Sequence, residues 1–291
     1  MKRIYSLVFS MILCMGCNIA GAQNCCDSLK PEVALPVISS YMVDFGGASV
    51  LDTYLSPIRY KGLNLRIGYE RLQAMKFNPE KWINQLEAGI DYSPAENPAK
   101  NHTIHTLMVD LKWGMMHRWR MRQVDGLQLF GGGSTQLRGG ALYAPANSNN
   151  VVSVKINWSI DLTGMAVYNK RIGRLPVTFR YQATLPVLGV FYSPEYGESY
   201  YEIYVGNRSG LVHFGWVGNR FALTNLFTAD MHFGGTTVRI GYRNVTETSW
   251  VNNLNTQIFR NSFVLGLCGE WLSIRPGSKL SEKARIISAM Y

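Results

Sequence analysis

A chain of 291 residues is long enough for one large all-β domain. Charges and glycines punctuate it so often that, past the first residues, no run reaches the ~20 apolar positions of a spanning helix. That excludes a helical membrane protein but not a barrel, whose strands turn every second residue to a polar lumen. The formal net charge of +10, or +8 without Lys2 and Arg3, fits anionic lipid head groups better than nucleic acid in an exported chain, with scattered solvated charge as the plain alternative.

The chain starts MKRIYSLVFSMILCMGCNIAGAQ. Lys2 and Arg3 precede an apolar stretch from Ile4 to Met15, and Ala20, Gly21 and Ala22 supply small residues for cleavage. This is the pattern of a secretory signal peptide over residues 1–22. The apolar stretch is too short for a membrane anchor, and Cys14-Met15-Gly16 is a poor match to a lipidation box before Cys17. Cys14 and Cys17 leave with the signal. The pair Cys25-Cys26 and the distant Cys268 have no spacing pattern, so neither a disulfide framework nor a zinc site is expected. Residues 23–45 carry two prolines and read as an irregular periplasmic segment placed to tuck into a barrel.

The barrel itself is expected over residues 46–272. A first, weak strand is read at 46–55. The second, at 62–75, alternates Leu63, Leu65, Ile67 and Tyr69 with Asn64, Arg66, Gly68 and Glu70. A period of two maintained over roughly ten residues is strand geometry with one apolar and one polar face. The same pattern recurs at 82–92, 102–117, 151–168 and 175–192, and in a glycine-rich form at 127–142. Two shorter strands are expected at 200–206 and 211–217. The last fifty residues hold the clearest three. Leu223, Phe227, Ala229, Met231 and Phe233 share a face, with Asn225 as an interruption; Val238, Ile240 and Tyr242 follow, then Phe259, Phe263, Leu265, Leu267 and Trp271. The expectation is an all-β, antiparallel transmembrane β-barrel of about twelve strands.

The connections agree with such a barrel. If the chain enters from the periplasm, the stretches 56–60, 93–101, 143–150, 193–199 and a long polar loop at 245–256 fall outside. The stretches 76–81, 119–124, 169–173, 207–209 and the Gly234-Gly235 turn fall on the periplasmic side. The outer set is the longer one, as membrane barrels require, with Val217-Gly218-Asn219 as the exception. Trp82, Tyr92, Trp119, Tyr168, Tyr192 and Trp271 stand near strand ends, where interfacial aromatic girdles belong. A soluble sandwich or lipocalin-like barrel would alternate too, but with strands of ~5–6 residues and with its apolar face turned inward.

At LDTYLSPIRYKG (51–62) the chain resembles an uncharacterised family of predicted outer-membrane β-barrel proteins from Bacteroidota. The resemblance continues in IGYERLQ (67–73), HFGGTTVRIGYRN (232–244) and TSWVNNLNTQIFRNSFVLGLCGEW (248–271), and covers most of the mature chain. It brings no activity, substrate or catalytic residue. It implies a location, the outer membrane of a Gram-negative cell. One feature departs from the usual pattern. Many such barrels end on an aromatic residue that closes the last strand and signals to the insertion machinery. Here Tyr291 ends a tail in which Ile286, Ile287 and Met290 have helical spacing. Trp271 is therefore the expected closing aromatic, and residues 273–291 are expected to form a periplasmic tail.

The inward face is rich in ionisable groups: Arg66, Glu70, Glu87, Asp91, Asp110, Lys112, Lys155, Asp161, Arg180, Asp230, His232, Arg239, Arg243 and Glu270. Opposite charges on neighbouring strands imply cross-strand pairs. They fit two readings, a polar pore or ligand site on one hand and a salt-bridged filling on the other. No serine is placed to form a catalytic set with His102, His105, His117, His213 or His232. The histidines lack metal-ligand spacing, and the run Gly131-Gly132-Gly133 lacks the lysine and helix of a phosphate loop. No enzyme, metal or cofactor is expected. The expected partners are outer-membrane lipid and, during assembly, the barrel-insertion machinery, and not nucleic acid. The expected role is non-catalytic, in passive passage of small solutes or in envelope structure. The alternatives are an outer-membrane lipid-modifying enzyme and a soluble periplasmic all-β binding protein.

Overall fold

The structure, a computed structural model, describes residues 33–121, 123–148, 150–206, 210–272 and 285–290. The signal peptide and Cys25-Cys26 lie outside the described residues. In chain order the elements are β1 Val33–Ala34, β2 Val37–Asp52, β3 Ser56–Ala74, β4 Trp82–Glu96, β5 Thr103–Arg120, β6 Leu127–Tyr143, β7 Val152–Ile172 and β8 Leu175–Tyr192, then the helix α1 Tyr200–Val205, and finally β9 Val212–Trp216, β10 Arg220–Phe233, β11 Thr236–Val251, β12 Leu254–Trp271 and β13 Arg285–Ile286.

Ten strands, β2 to β8 and β10 to β12, form a closed antiparallel ring. The ring closes where β12 meets β2, from Thr256 opposite Asp52 to Trp271 opposite Val37. Over the height where β8 meets β10, closure leaves the ring without an edge, so its backbone polar groups there are met within the ladder. β9 stands outside the ring, paired to the upper part of β8. The connections 53–55, 97–102, 144–151 and 193–219 share one end with the β11–β12 turn, here the loop end. The connections 75–81, 121–126, 173–174 and 234–235 share the other, the turn end.

The count is ten rather than the expected twelve, and the difference lies in residues 193–219. Tyr200–Val205 is a helix, although its aromatic and aliphatic residues suggest a strand. Ser199 caps it: the Ser199 hydroxyl accepts from the Glu202 N–H at 3.3 Å, and the Ser199 N–H donates to the Glu202 carboxylate at 2.7 Å. This reciprocal capping box outweighs a short alternation. The same N–H and hydroxyl hold the Glu202 carboxyl below the usual carboxylate range. β9 is a true strand but not a barrel stave. Pro186 has no N–H to donate, and the β7–β8 register slips between Ile160 and Asp161. The β8–β10 ladder therefore stops at Thr184 opposite Thr224, and β9 takes the rungs from Leu188 onward.

Other boundaries move as well: the stretch 56–60, expected as an outer loop, is the start of β3, and the connection is 53–55. β2 begins at Val37, nine residues before the expected start at 46, with Ile38, Ser40, Met42 and Asp44 buried and Tyr41, Val43 and Phe45 exposed. The long polar loop expected at 245–256 is instead a two-residue turn. Asn252 and Asn253 take φ of 54° and 58°, the left-handed pair that matches strand twist in a tight hairpin. β11 and β12 run right up to it. The end asymmetry is now carried chiefly by 193–219, against the short Gly234-Gly235 and Gly173-Arg174 turns.

The polarity of the ring is that of a barrel turned inside out. Leu63, Ile67, Leu107, Leu111, Ile156, Leu162, Phe263, Leu265 and Leu267 are each at least half exposed on the outer face. Burying one such side chain is worth about 1.5–3 kcal/mol, so a continuous apolar belt of this kind calls for an apolar surrounding. Trp82, Trp119 and Trp271 stand near its turn-end border. Glycine appears where strands crowd. A Cβ on Gly132 would sit 2.0 Å from the Met115 carbonyl oxygen of β5. The glycine-rich run of β6 thus permits close strand approach.

Candidate functional site: the barrel interior

Inward side chains fill the ring in three zones. At the loop end, Val50, Tyr60, Ala95, Ile104, Leu142, Leu254 and Ile258 form an apolar cap with Tyr54, Leu55 and Ala144 of the connections. The Tyr54 hydroxyl donates to the Glu198 carbonyl at 2.8 Å and the Asn147 amide to the Leu55 carbonyl at 2.9 Å, so three connections lock together over the cap.

The middle zone is ionic. The enclosed Asp52 carboxylate receives Ser153 at 2.7 Å and lies 3.0 Å from the Lys155 ammonium. Further in, Arg138 pairs with Glu247. Arg66 donates to Asp91 at 2.7 Å and to both oxygens of Asp110. Glu87 receives Lys112 at 2.6 Å and Arg243 at 2.9 Å, and Arg243 also reaches Asp44 at 2.7 Å. Toward the turn end, Arg180 makes a fork of 2.7 and 2.6 Å to Glu70. Arg239 bridges Glu70 at 2.9 Å and Asp230 through two bonds of 2.7 Å. Taking each ion from water costs several kcal/mol, and only shared, bidentate geometry offsets it. Gly89 serves that geometry: a Cβ there would fall 2.2 Å from an Arg66 guanidinium nitrogen.

The third zone corrects the expected helical tail. Residues 285–290 are extended. Arg285–Ile286 pairs in parallel with Val33–Ala34, and the Ile287 N–H donates to the Ala34 carbonyl at 3.0 Å. Ala289 and Met290 then enter the turn end and pack among Ile38, Leu72, Ile83, Met116, Phe130, Met165 and Val167. Arg118 holds the Ser288 and Ala289 carbonyls at 2.8 and 2.7 Å, and Asn169 donates to the Met290 carbonyl at 3.1 Å. An extended tail lets the backbone present carbonyls to these donors; a helix would have consumed them.

Of the fourteen charged residues expected inside, Arg66, Glu70, Glu87, Asp91, Asp110, Lys112, Asp161, Arg180, Asp230, Arg239 and Arg243 are buried. Lys155 is mostly buried. Asp161 takes a hydrogen bond of 2.6 Å from Ser159 and stands apart from the network's ion pairs. His232 sits half-buried at the turn-end rim, 2.9 Å from Thr178 and 2.9 Å from Thr237. Glu270, at the same rim, is exposed. The network also uses Asp44, Asp52, Arg138, Glu247 and Arg260: Asp44 and Glu247 fall outside the expected strands, whereas Asp52, Arg138 and Arg260 fall inside them on the inward parity. Cavities of about 50 Å³ toward the loop end and of about 30 Å³ within the ionic zone lie among these side chains.

A family model described as protein of unknown function (DUF3316) matches residues 5–278. Among solved structures, the chain is similar to the transport unit of the autotransporter AIDA-I from Escherichia coli, at 8% identity over 91% of this chain and 97% of that one, with a TM-score of 0.40. It is also similar to the translocator domain of the autotransporter NalP from Neisseria meningitidis, at 10% identity over 93% and 96%, with a TM-score of 0.36. A third is an outer membrane channel from Pseudomonas putida F1, at 8% identity over 86% and 100%, with a TM-score of 0.33. None of the curated proteins matches.

Proposed function

The chain belongs to the DUF3316 family of proteins of unknown function, and from that premise we propose that it is a sealed, non-catalytic β-barrel of the outer membrane of a Gram-negative cell, with a role in envelope structure. The observation that carries the reading is the filled interior: two apolar caps enclose an ionic middle zone, and the cavities of about 50 and about 30 Å³ between them are too small for a hydrated solute. Passive passage, the other role that alternation allows, needs a continuous lumen. The membrane setting is supported by the apolar outer belt and the closed ring. Outer-membrane lipid is then its lateral partner, and the insertion machinery acts on it during assembly. The loop end, with 193–219, faces outward, and the turn end, with the tail, faces the periplasm.

Fractionation tests this setting. The chain is expected in the outer-membrane fraction, released only by detergent, with a band that migrates differently before and after boiling. A chain that partitions into buffer without detergent contradicts the reading.

A further inference from the structure

We propose that the outer wall of β10 to β12 is the face through which two copies of this chain pair in the membrane, about a two-fold axis that passes near Asn244. The inference rests on the membrane setting proposed above. A row of amides crosses that wall. Asn225, Asn244 and Asn261 stand directly opposite one another on β10, β11 and β12. The Tyr181 hydroxyl donates to the Asn225 oxygen at 2.9 Å, the Asn225 amide to the Asn244 oxygen at 3.3 Å, and the Asn244 amide to the Asn261 oxygen at 2.8 Å. The Tyr242 hydroxyl also donates to the Asn261 oxygen, at 2.9 Å. Alternation marks Asn225 as an interruption of an apolar face; in the closed register that interruption runs through three strands.

The row lies within the apolar belt and not at its border. Next to it on the turn-end side stand Phe227, Tyr242 and Phe263, all exposed. On the loop-end side the next row is Leu223, Thr246 and Phe259. The exposed Trp250 lies nearer still to the loop end, where an interfacial aromatic belongs. Lipid head groups therefore do not reach the row.

Polar groups in hydrocarbon need partners, and the spare capacity of the row selects the partner. A primary amide has two N–H donors and an oxygen with two lone pairs. Asn225 and Asn244 each use one N–H and one lone pair within the row, and the Asn261 Nδ2 donates to nothing among the described residues. An acyl chain meets none of the groups left over. A second amide row meets both kinds, because donors and acceptors are left over together. The patch is thus complementary to itself, as an isologous contact requires. Polar and small side chains also make the contacts between membrane segments. Here the row ends in Ala183 on β8 and Gly47 on β2, so nothing bulky at either end holds a second wall away.

The test uses the full chain folded in detergent, with the shift of the unboiled gel band as the measure of folding. Sedimentation is expected to give twice the mass of the chain, falling to the single mass on dilution. Asn244→Leu is expected to weaken association roughly tenfold and to leave the band shift intact, since leucine suits a lipid-facing site. Asn244→Cys is expected to give a disulfide-linked pair in isolated outer membranes, above the background of the unaltered chain. Leu111→Cys, exposed on β5 across the ring, is expected to give none. A chain that sediments as a monomer at every concentration overturns the proposal. An Asn244→Leu chain that unfolds more easily but associates as before also overturns it, because the row is then only a brace between strands. Cross-linking of the Asn244→Cys chain to a different protein, without the pair, overturns it too. If Asn244→Leu does not fold, sedimentation of the unaltered chain and the two cysteine variants decide. Recovery of the chain in buffer without detergent would instead sink the membrane reading, before association is measured.

Discussion

Glu70→Gln is expected to destabilise the folded barrel by about 3–5 kcal/mol, because it strands charge in a dry interior. Glu70 is 1% exposed. It is the one carboxylate within ion-pair distance of Arg180 among the described residues, and one of two for Arg239. Glutamine keeps the volume and one acceptor but removes the counter-charge, leaving a guanidinium with no side exposure facing only Gln182. The matching control is Glu80→Gln. The Glu80 pair with Arg285 spans 2.7 Å but its side chains are 48% and 60% exposed, and a solvated pair of this kind contributes ~0–1 kcal/mol. Urea titrations of both variants, followed by the unboiled gel band, compare the two directly. Equal midpoints would mean that water reaches the ionic zone freely.

Leu265→Arg is expected to cost about 2–4 kcal/mol in lipid vesicles, the range for a lipid-facing charge near the midplane. Leu265 is half exposed on β12. Its ladder partners, Val43 on β2 and Ile240 on β11, are also exposed and apolar, so the arginine would find no carboxylate beside it in the belt. The loss should appear as a lower urea midpoint and a smaller folded fraction in vesicles. A neutral outcome would argue that this face meets water, and with it that the belt is not a membrane surface.

Most of the ring was legible because alternation reports on which face each residue occupies. Leu63 to Glu70 sort correctly by parity alone, as do the residues around Asp110, Asp161 and Arg239. Alternation failed where another local rule was stronger or the pattern was diluted. A capping box at Ser199 and Glu202 converted an apparent strand into α1. Asn252 and Asn253 concealed a tight turn inside a polar run, and that hid Glu247. Serines and glycines diluted the pattern of β2, and that hid Asp44 and Asp52. The tail was too short for its period to distinguish a helix from an extended plug. The pairings themselves lay beyond parity. Arg180 meets Glu70 across 110 positions of sequence, and such partners depend on height in the barrel, which only the closed register supplies.

Single-channel recording in planar lipid bilayers tests the sealed interior most directly. With the full folded chain inserted, the filled lumen predicts traces indistinguishable from those of a bilayer without protein. Discrete, reproducible conductance steps would contradict it, since no ion current can cross two closed apolar caps.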